Sequence, residues 1–300
     1  MVTQPRGDLS AFGLTVASEF DIPELPAATN PDDPDVRITE GTVNRPTDAE
    51  ADQITYRTGP DELLLLFGAA TISLREGREM IVDPTPAVHD EIIRHLIIGP
   101  AFNYLLHQRG YFVLHASTVA VGDVSVAFVG ESGMGKTTAA TAFLCAGHEV
   151  LSDDVAAIEL DDGRPRVRSG YPSIKLEPAI VDLLDVPVEE PRRTSQRRDR
   201  HFHALEDGQP ETPVPLERIY LLEDAEHTSV RPLESESPVL ELVRNTYTIS
   251  LLGDEAESNF LQCASLAESV PVRRLRRQRN LDQLPELVEV VEEDLDAETA

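Results

Sequence analysis

Short apolar runs bounded by Pro, Gly and Asp make up much of the first third of the chain. Runs of this length between turn-forming residues predict β-strands rather than helices. The predicted strands are Leu14–Val16, Val36–Ile38, Ile54–Tyr56, Leu63–Phe67, Thr71–Leu74 and Met80–Val82. The pattern therefore predicts a small β-rich domain at the N-terminus.

The period of the apolar positions changes between Pro86 and Arg109, where they recur at helical spacing. Gly99-Pro100 interrupts this stretch and predicts a break or kink, because proline lacks a backbone N–H. Gly110 then supplies an end signal. We assign residues 1–110 to the β-rich domain with its connecting helix.

Strands and helices alternate in the remainder of the chain, which predicts an α/β domain over residues 111–300. The runs His115–Val121 and Val124–Val129 flank Gly122-Asp123 and predict an antiparallel hairpin. The segment Val186–Arg200, rich in proline and arginine, predicts a mobile loop. Further strands and helices are predicted at Glu149–Ser152, Ile219–Leu222, Val230–Leu233, Val239–Asn245, Ala256–Leu266, Val270–Leu275 and Leu284–Ala300.

Acidic residues outnumber basic ones by 54 to 26, which gives a formal net charge of -28. Lys136 and Lys175 are the only lysines. Such chains are typical of salt-accumulating organisms, because molar salt shortens the Debye length to about 3 Å and screens self-repulsion. We expect a halophilic archaeal source; a GC-rich genome, the alternative, favours arginine over lysine but does not produce the acid excess. The charge disfavours binding to nucleic acid.

Hydrophobic residues make up 41% of the chain and charged residues 27%, as in ordinary folded proteins. The apolar run Leu63–Phe67 is far shorter than the roughly 20 residues that span a bilayer. The N-terminus shows no secretory signal, so we expect a cytoplasmic protein without membrane partners. Cys145 and Cys263 predict neither a disulfide nor a zinc site.

The segment Gly130–Thr137, GESGMGKT, matches the phosphate-binding loop G-x-x-x-x-G-K-[ST]. It lies between an apolar run and an alanine-rich run, which is the strand–loop–helix order the motif requires. In such loops backbone N–H groups surround phosphate oxygens, the lysine reaches the β- and γ-phosphates, and the hydroxyl completes a magnesium site. The predicted nucleotide-binding residues are Gly130, Glu131, Ser132, Gly133, Met134, Gly135, Lys136, Thr137 and Thr138.

The loop alone does not choose among ATPases, GTPases and kinases, so the acidic residues that follow it matter. Asp153-Asp154 ends the predicted strand Glu149–Ser152. Adjacent carboxylates there are expected to alternate across the strand, one facing the magnesium and the other the acceptor hydroxyl. The alternative is a polar strand end without a catalytic role.

Three segments together resemble the catalytic region of HPr kinase/phosphorylase. They are His115-Ala116-Ser117, the loop region Gly130–Thr138, and Gly147–Asp154 with the sequence GHEVLSDD. The resemblance is close over about forty residues. Phe12-Gly13-Leu14, Ser18-Glu19, Pro23–Pro26 and His107–Gly110 are similar to a broader set of HPr kinase-related proteins with a distinct N-terminal sheet domain.

The resemblance implies a P-loop kinase domain with the mixed-sheet core of phosphoenolpyruvate carboxykinases. It also implies transfer of the γ-phosphoryl group of ATP, with Mg²⁺, to a serine of a protein or peptide, by a protein that forms closed homo-oligomers. Asp153 matches the family's catalytic base and His115 a histidine beside the active site. Lys136 matches the residue that holds phosphate, while Thr137 and Asp154 match the magnesium-binding positions.

One departure limits these implications. The family's glycine-rich second signature, linked to phosphorolysis, is replaced by Ser169–Leu176, so neither phosphorylase activity nor HPr as a substrate is predicted. Lys175 in this segment either approaches a phosphate or is a solvated surface residue. The arginines of Arg192–Arg200 either clamp an acidic substrate or neutralise nearby carboxylates. Two alternatives stay open: an ATP-binding regulatory module without efficient transfer, and a small-molecule kinase.

Overall fold

The computed structural model is a mixed α/β structure. It describes residues 8–28, 33–47, 54–57, 62–160, 163–176, 180–181, 192–195, 198–205, 209–233, 237–247 and 256–297. The chain divides into two compact units. The first unit comprises Met1–Tyr111 and Arg192–Asp199, and the second comprises Phe112–Pro191 and Arg200–Ala300.

Within the described residues, seven strands of the first unit form one sheet in the order β1-β2-β3-β7-β6-β5-β4. They are β1 (Asp8–Ala11), β2 (Leu14–Ser18), β3 (Val36–Glu40), β4 (Thr55–Arg57), β5 (Glu62–Leu66), β6 (Ala70–Arg75) and β7 (Glu79–Pro84). The pairs β2–β3 and β3–β7 are parallel, and the other neighbours are antiparallel. All six predicted strands are confirmed; β1 was not predicted because its four residues DLSA are half polar.

The predicted helical stretch of the first unit is continuous rather than broken. Helix α1 (Asp90–Leu96) leads into a π-helical turn, Ile97–Ala101, and then into α2 (Phe102–Gln108). Pro100 lies inside the π-turn. A wider turn accommodates the missing proline N–H, so the chain continues as a helix through Gly99-Pro100.

The prediction of a loop at Val186–Arg200 is wrong where the structure describes this segment. Strand β15 spans Arg192–Ser195 and β16 spans Arg198–Ala204. No proline follows Pro191 there, so the backbone N–H groups are available for strand pairing. Residues 186–191 lie outside the described residues.

The second unit is built on a mixed sheet in which the described strands follow the order β11-β9-β10-β17-β13-β12-β8, with β19 beside β17 and β18 beside β19. Strand β10 runs parallel to β17, and β17 runs parallel to β19. The strands are β8 (Phe112–Leu114), β9 (Ala116–Val121), β10 (Val124–Val129), β11 (Glu149–Ser152), β12 (Ala156–Glu159), β13 (Arg166–Arg168), β17 (Val214–Asp224), β18 (Ser229–Pro232) and β19 (Val272–Arg277). A further strand, β14 (Ser173–Leu176), pairs antiparallel with β16.

Helices of the second unit pack on both faces of this sheet. They are α3 (Lys136–Cys145), α4 (Pro238–Arg244), α5 (Ala256–Ser269) and α6 (Leu284–Asp296), the last preceded by a 3₁₀ turn at Leu281–Gln283. One core contains Phe128 and Phe143 with α3 and α6, and the other contains Leu242 and Leu266 from α4 and α5. Because both faces are covered, β9 and β10 are buried along almost their whole length.

A partly buried ionic cluster links α6 to the sheet. The Tyr220 hydroxyl donates to Asp294 Oδ2 at 2.8 Å, and Arg273 Nη1 lies 3.1 Å from Asp294 Oδ1. Arg218, whose side chain is 1% exposed, places Nε 3.7 Å from the same carboxylate. The helix is thereby held by charge as well as by its apolar face.

Among the described residues, no helix combines the length and apolar character needed to cross a bilayer.

Candidate active site

The glycine-rich loop joins the end of β10 to the first residue of α3, as the motif predicted. Gly133 and Gly135 both adopt a φ of +83°, a left-handed conformation that favours glycine. A Cβ atom on Gly135 would also lie 2.5 Å from Arg277 Nη2. The backbone therefore needs glycine at position 135. The N-terminus of α3, which carries a partial positive charge, faces the open side of the loop.

Lys136 folds back over the loop. Its side chain is buried, and Nζ donates to the carbonyl oxygens of Gly130 at 2.7 Å and Glu131 at 3.3 Å. Burial lowers the pKa of Lys136, although the charges of Asp154 and Asp153 oppose that shift. The ammonium group is thus fixed at the beginning of the loop.

Asp153 is buried and joins three elements. Its Oδ1 accepts hydrogen bonds from Ser117 Oγ at 2.7 Å and from Thr137 Oγ1 at 2.8 Å. Its Oδ2 accepts from the backbone N–H of Lys175 at 3.1 Å. Burial, followed by the neighbouring charge of Asp154, raises the pKa of Asp153.

Asp154 lies next to it in a different environment. The strand ends at Ser152, and Asp154 has a φ of +69°, so the expected alternation of the two carboxylates across a strand is wrong. Aspartate tolerates this conformation better than most residues, and here the turn sends its carboxylate to Lys175 Nζ, 2.5 Å away. Burial alone would raise the pKa of Asp154, but the Lys175 ammonium dominates and lowers it to about 2.

His115 and Tyr247 clamp the backbone of Asp154. The Tyr247 hydroxyl donates to the Asp154 carbonyl at 2.9 Å, and His115 Nδ1 lies 2.8 Å from that hydroxyl and 3.0 Å from that carbonyl. Because the single hydroxyl proton goes to Asp154, Nδ1 carries the imidazole proton. Burial, and then the charge of Lys136, lowers the pKa of His115, which favours the neutral ring.

The sequence did not single out the residues that follow α4. The Asn245 carbonyl accepts the backbone N–H of His115 at 2.7 Å, and its side-chain Oδ1 accepts the N–H of Gly130 at 3.1 Å. Tyr247 completes the clamp two residues later. No motif in the sequence distinguishes these positions, because their role depends on where α4 ends against the sheet.

Two arginines beside the loop were also missed as site residues. Arg277 Nη2 donates to the Met134 carbonyl, and Arg279 Nη2 lies 3.3 Å from Met134 Sδ. Arg279 Nε in turn pairs with Asp224 Oδ2 at 2.7 Å. These contacts brace the loop from the side of β17 and β19.

A cavity of about 840 Å³ adjoins the first half of the loop. Its walls come from the loop, from β17 and β19, from α4 with the residues after it, and from His115. Of the predicted nucleotide-binding residues, Gly130, Glu131, Ser132 and Met134 line it. Thr137 instead donates to Asp153, Lys136 donates to the carbonyls of Gly130 and Glu131, and Thr138 is half-buried in the first turn of α3.

The oxygen groups of Thr137, Asp153 and Asp154 fit a hard cation such as Mg²⁺. No cluster of three or more His, Cys, Asp or Glu side chains able to hold a metal occurs in the described ranges. Magnesium in phosphoryl-transfer sites usually takes one or two protein carboxylates and completes its shell with phosphate and water. The donor set here is therefore of the expected type and size.

Comparison with known proteins gives little. No protein-family model matches the sequence, and no curated protein matches it. The solved structure of the HPr(Ser) kinase/phosphatase from Coxiella burnetii aligns with 14% identity and a TM-score of 0.31, over 62% of this chain and 98% of that chain. A likeness at this TM-score supports no statement about the chain.

Proposed function

We propose that this protein transfers the γ-phosphoryl group of ATP, with Mg²⁺, to a hydroxyl group. The observation that carries the proposal is the hydrogen bond between Thr137 Oγ1 in the loop and Asp153 Oδ1, because it joins the phosphate-binding loop to the acidic pair. Loop, lysine, hydroxyl and carboxylates are the parts that phosphoryl transfer requires in one place. Such a loop in an ATPase or GTPase also needs a carboxylate for magnesium, so it is the second carboxylate of the pair that would serve the acceptor hydroxyl.

The nucleotide would be held by the loop and α3. Backbone N–H groups between Gly130 and Thr138 would surround the phosphates, and the N-terminus of α3 would favour their negative charge. Lys136 would exchange its contacts with the Gly130 and Glu131 carbonyls for the β- and γ-phosphate oxygens. The buried, desolvated position of this ammonium strengthens its interaction with phosphate charge.

Thr137 and Asp154 would hold the magnesium ion, which when bound would neutralise charge on the transferring group. The low pKa of Asp154 keeps its carboxylate ionised at neutral pH, as a cation ligand must be. Asp153 would accept the proton of the acceptor hydroxyl, and its raised pKa suits a general base.

The acceptor implied by the sequence resemblance is a serine of a protein or peptide. A small-molecule acceptor is the second candidate, and the cavity beside the loop specifically favours it. An ATP-binding regulatory module without transfer remains the alternative to both.

Transfer of labelled γ-phosphate tests the proposal. The full chain, in molar potassium chloride with magnesium, would be offered fractionated native lysate and the small-molecule fraction separately. We expect label in an acceptor, lost in Lys136→Ala and Asp153→Asn. Asp123→Asn, an exposed turn substitution with the same charge change, should keep transfer. If the chain binds ATP but labels nothing, or if Asp153→Asn transfers as well as the parent, the proposal is wrong.

A further inference from the structure

We propose that Arg277 is a positioning residue for the nucleotide. It holds the peptide between Met134 and Gly135 so that the Gly135 N–H faces the phosphate chain of a bound nucleoside di- or triphosphate. Arg277 is the last residue of β19 and lies 143 residues from Met134 along the chain. This inference rests on the proposed function and adds to the nucleotide site a residue from outside the loop motif.

The Arg277 guanidinium links the end of β19 to the loop. Its Nη2 donates to the Met134 carbonyl, and its Nη1 donates to the Gln278 carbonyl at 3.2 Å. Arg277 is only 8% exposed. A Cβ atom on Gly135 would lie 2.5 Å from Nη2, so glycine at position 135 makes room for this approach. Because the guanidinium is buried and held at both Nη atoms, it fixes the direction of the Met134 carbonyl.

The direction of that carbonyl sets the direction of the next N–H. The peptide between Met134 and Gly135 is trans, so its C=O and N–H point to opposite sides of the chain. The carbonyl faces Arg277, and the Gly135 N–H therefore faces away from it. Gly135 directly precedes α3, and N–H groups at the start of a helix have no carbonyl partner within that helix. The Gly135 N–H is thus available to a phosphate oxygen.

The charge of Arg277 also lies where a phosphate chain would use it. Both Nη contacts are to neutral carbonyl groups, and Asp224 Oδ2 pairs with Arg279 Nε at 2.7 Å. Burial lowers the pKa of Arg277, while the charge of Asp224 opposes that shift. The guanidinium adds positive charge beside the N-terminus of α3, which is already positive. This arrangement is unfavourable in the empty loop and becomes favourable when a polyphosphate binds there.

The Gly135 N–H can be observed by itself. Met134-Gly135 is the only Met–Gly pair in the sequence. A chain labelled with ¹³C in the methionine carbonyls and ¹⁵N in glycine therefore gives one carbonyl-correlated amide NMR signal, that of Gly135. Tripolyphosphate without magnesium is the probe, because it carries the phosphate chain without the base. In molar potassium chloride, we expect saturating tripolyphosphate to move this signal in the parent chain and to move it much less in Arg277→Met.

Calorimetry on the same proteins measures the affinity. We expect Arg277→Met to bind tripolyphosphate and ADP about tenfold more weakly than the parent. Arg277→Lys keeps the charge and a donor for the Met134 carbonyl, so it should stay within about threefold of the parent. Arg276→Met is the matched control, because it removes the same charge from the neighbouring position of β19. Glu223 then keeps Arg274 as a partner at 2.8 Å, and binding should equal that of the parent.

The inference is overturned if tripolyphosphate binds the parent chain and leaves the Gly135 signal in place, a result that depends on no variant. It is also overturned if Arg277→Met, shown to be folded by cooperative denaturant unfolding, binds as the parent does, since Arg277 would then only join β19 to the loop. An equal loss of affinity in Arg276→Met overturns it as well. Failure of the parent to bind ATP would overturn the proposed function and this inference together, whereas binding without transfer would overturn the proposed function alone.

Discussion

Two segments of the second unit meet at the same site but were differently visible in the sequence. The motif segment, residues 115–154, carries the loop, Lys136 and the aspartate pair. The clamp segment, residues 238–247, supplies Asn245, which accepts the N–H of Gly130, and Tyr247, which donates to the Asp154 carbonyl. Local backbone geometry constrains which amino acids can occupy the first segment, since Gly133 and Gly135 have a positive φ. The second acquires its role only through packing. A site that needs a particular backbone conformation has a recognisable sequence motif, whereas residues brought to a site by tertiary packing have none.

The comparison also predicts different consequences for stability. The motif segment contains groups that burial disfavours, notably the Lys136 ammonium and the Asp153 carboxyl, whose pKa values are shifted toward their neutral forms. The clamp segment contributes neutral hydrogen bonds that support the fold. Substitutions in the first segment should therefore separate function from stability, and those in the second should lower both.

The largest effect is expected for Lys136→Met. The loss of charge-assisted contacts to two phosphates should weaken ATP binding by about 100-fold. The same change removes a buried ammonium, so the free energy of unfolding without nucleotide should stay equal or rise by about 1 kcal/mol. Calorimetric titration with ATP and denaturant unfolding of the same samples check both parts. If Lys136→Met loses stability together with ATP affinity, the expected separation of function from stability is wrong.

A smaller effect is expected for Tyr247→Phe in the clamp segment. The change removes the hydroxyl that donates to the Asp154 carbonyl, so we expect a loss of about 1 kcal/mol in unfolding free energy. A misplaced Asp154 should also slow phosphoryl transfer by about tenfold. The affinity for ATP without magnesium should change little, because the Tyr247 hydroxyl contacts the Asp154 carbonyl and the His115 ring. Unchanged transfer and stability would show that the clamp has no positioning role.

The same distinction separates the structural features that the sequence predicts from those that it does not. The N-terminal strands and the strand–loop–helix order around Gly130–Thr137 were predicted correctly, because apolar runs and glycine positions report on local structure. The prediction of a loop at Val186–Arg200 rests on its prolines and arginines, but Arg192–Ser195 follows the last of those prolines and forms a strand. The sequence also singles out Lys175 as one of two lysines, but it does not identify Asp154 as its partner.

Distance along the chain explains the remaining failures. Asn245 lies 115 residues from Gly130, and Tyr247 lies 132 residues from His115. Contacts of this kind depend on the order β9-β10-β17 and on where α4 ends against that sheet. A single sequence contains no local pattern that specifies contacts between residues so far apart along the chain.

Lys175→Met should have the smallest effect, and its pH dependence makes it the sharpest test of the contact between Lys175 and Asp154. The folded-state pKa of Asp154, about 2, is below its ordinary value of 3.8, so the ionised carboxylate stabilises the fold. That contribution is fully present above about pH 5 and is lost as the pH falls toward 2. Because the ion pair is partly exposed, we expect Lys175→Met to lower the unfolding free energy at pH 7 by about 1 kcal/mol or less.

The difference between Lys175→Met and the parent chain should shrink as the pH falls from 5 to 2, because Asp154 then becomes protonated in both proteins. Denaturant unfolding at constant high ionic strength measures it, with Lys175→Arg as the charge-retaining control. Asp153 is present in all three proteins, so its own titration contributes to each curve. A stability difference that stays constant across this pH range would mean that Lys175 acts through packing, and that another group sets the low pKa of Asp154.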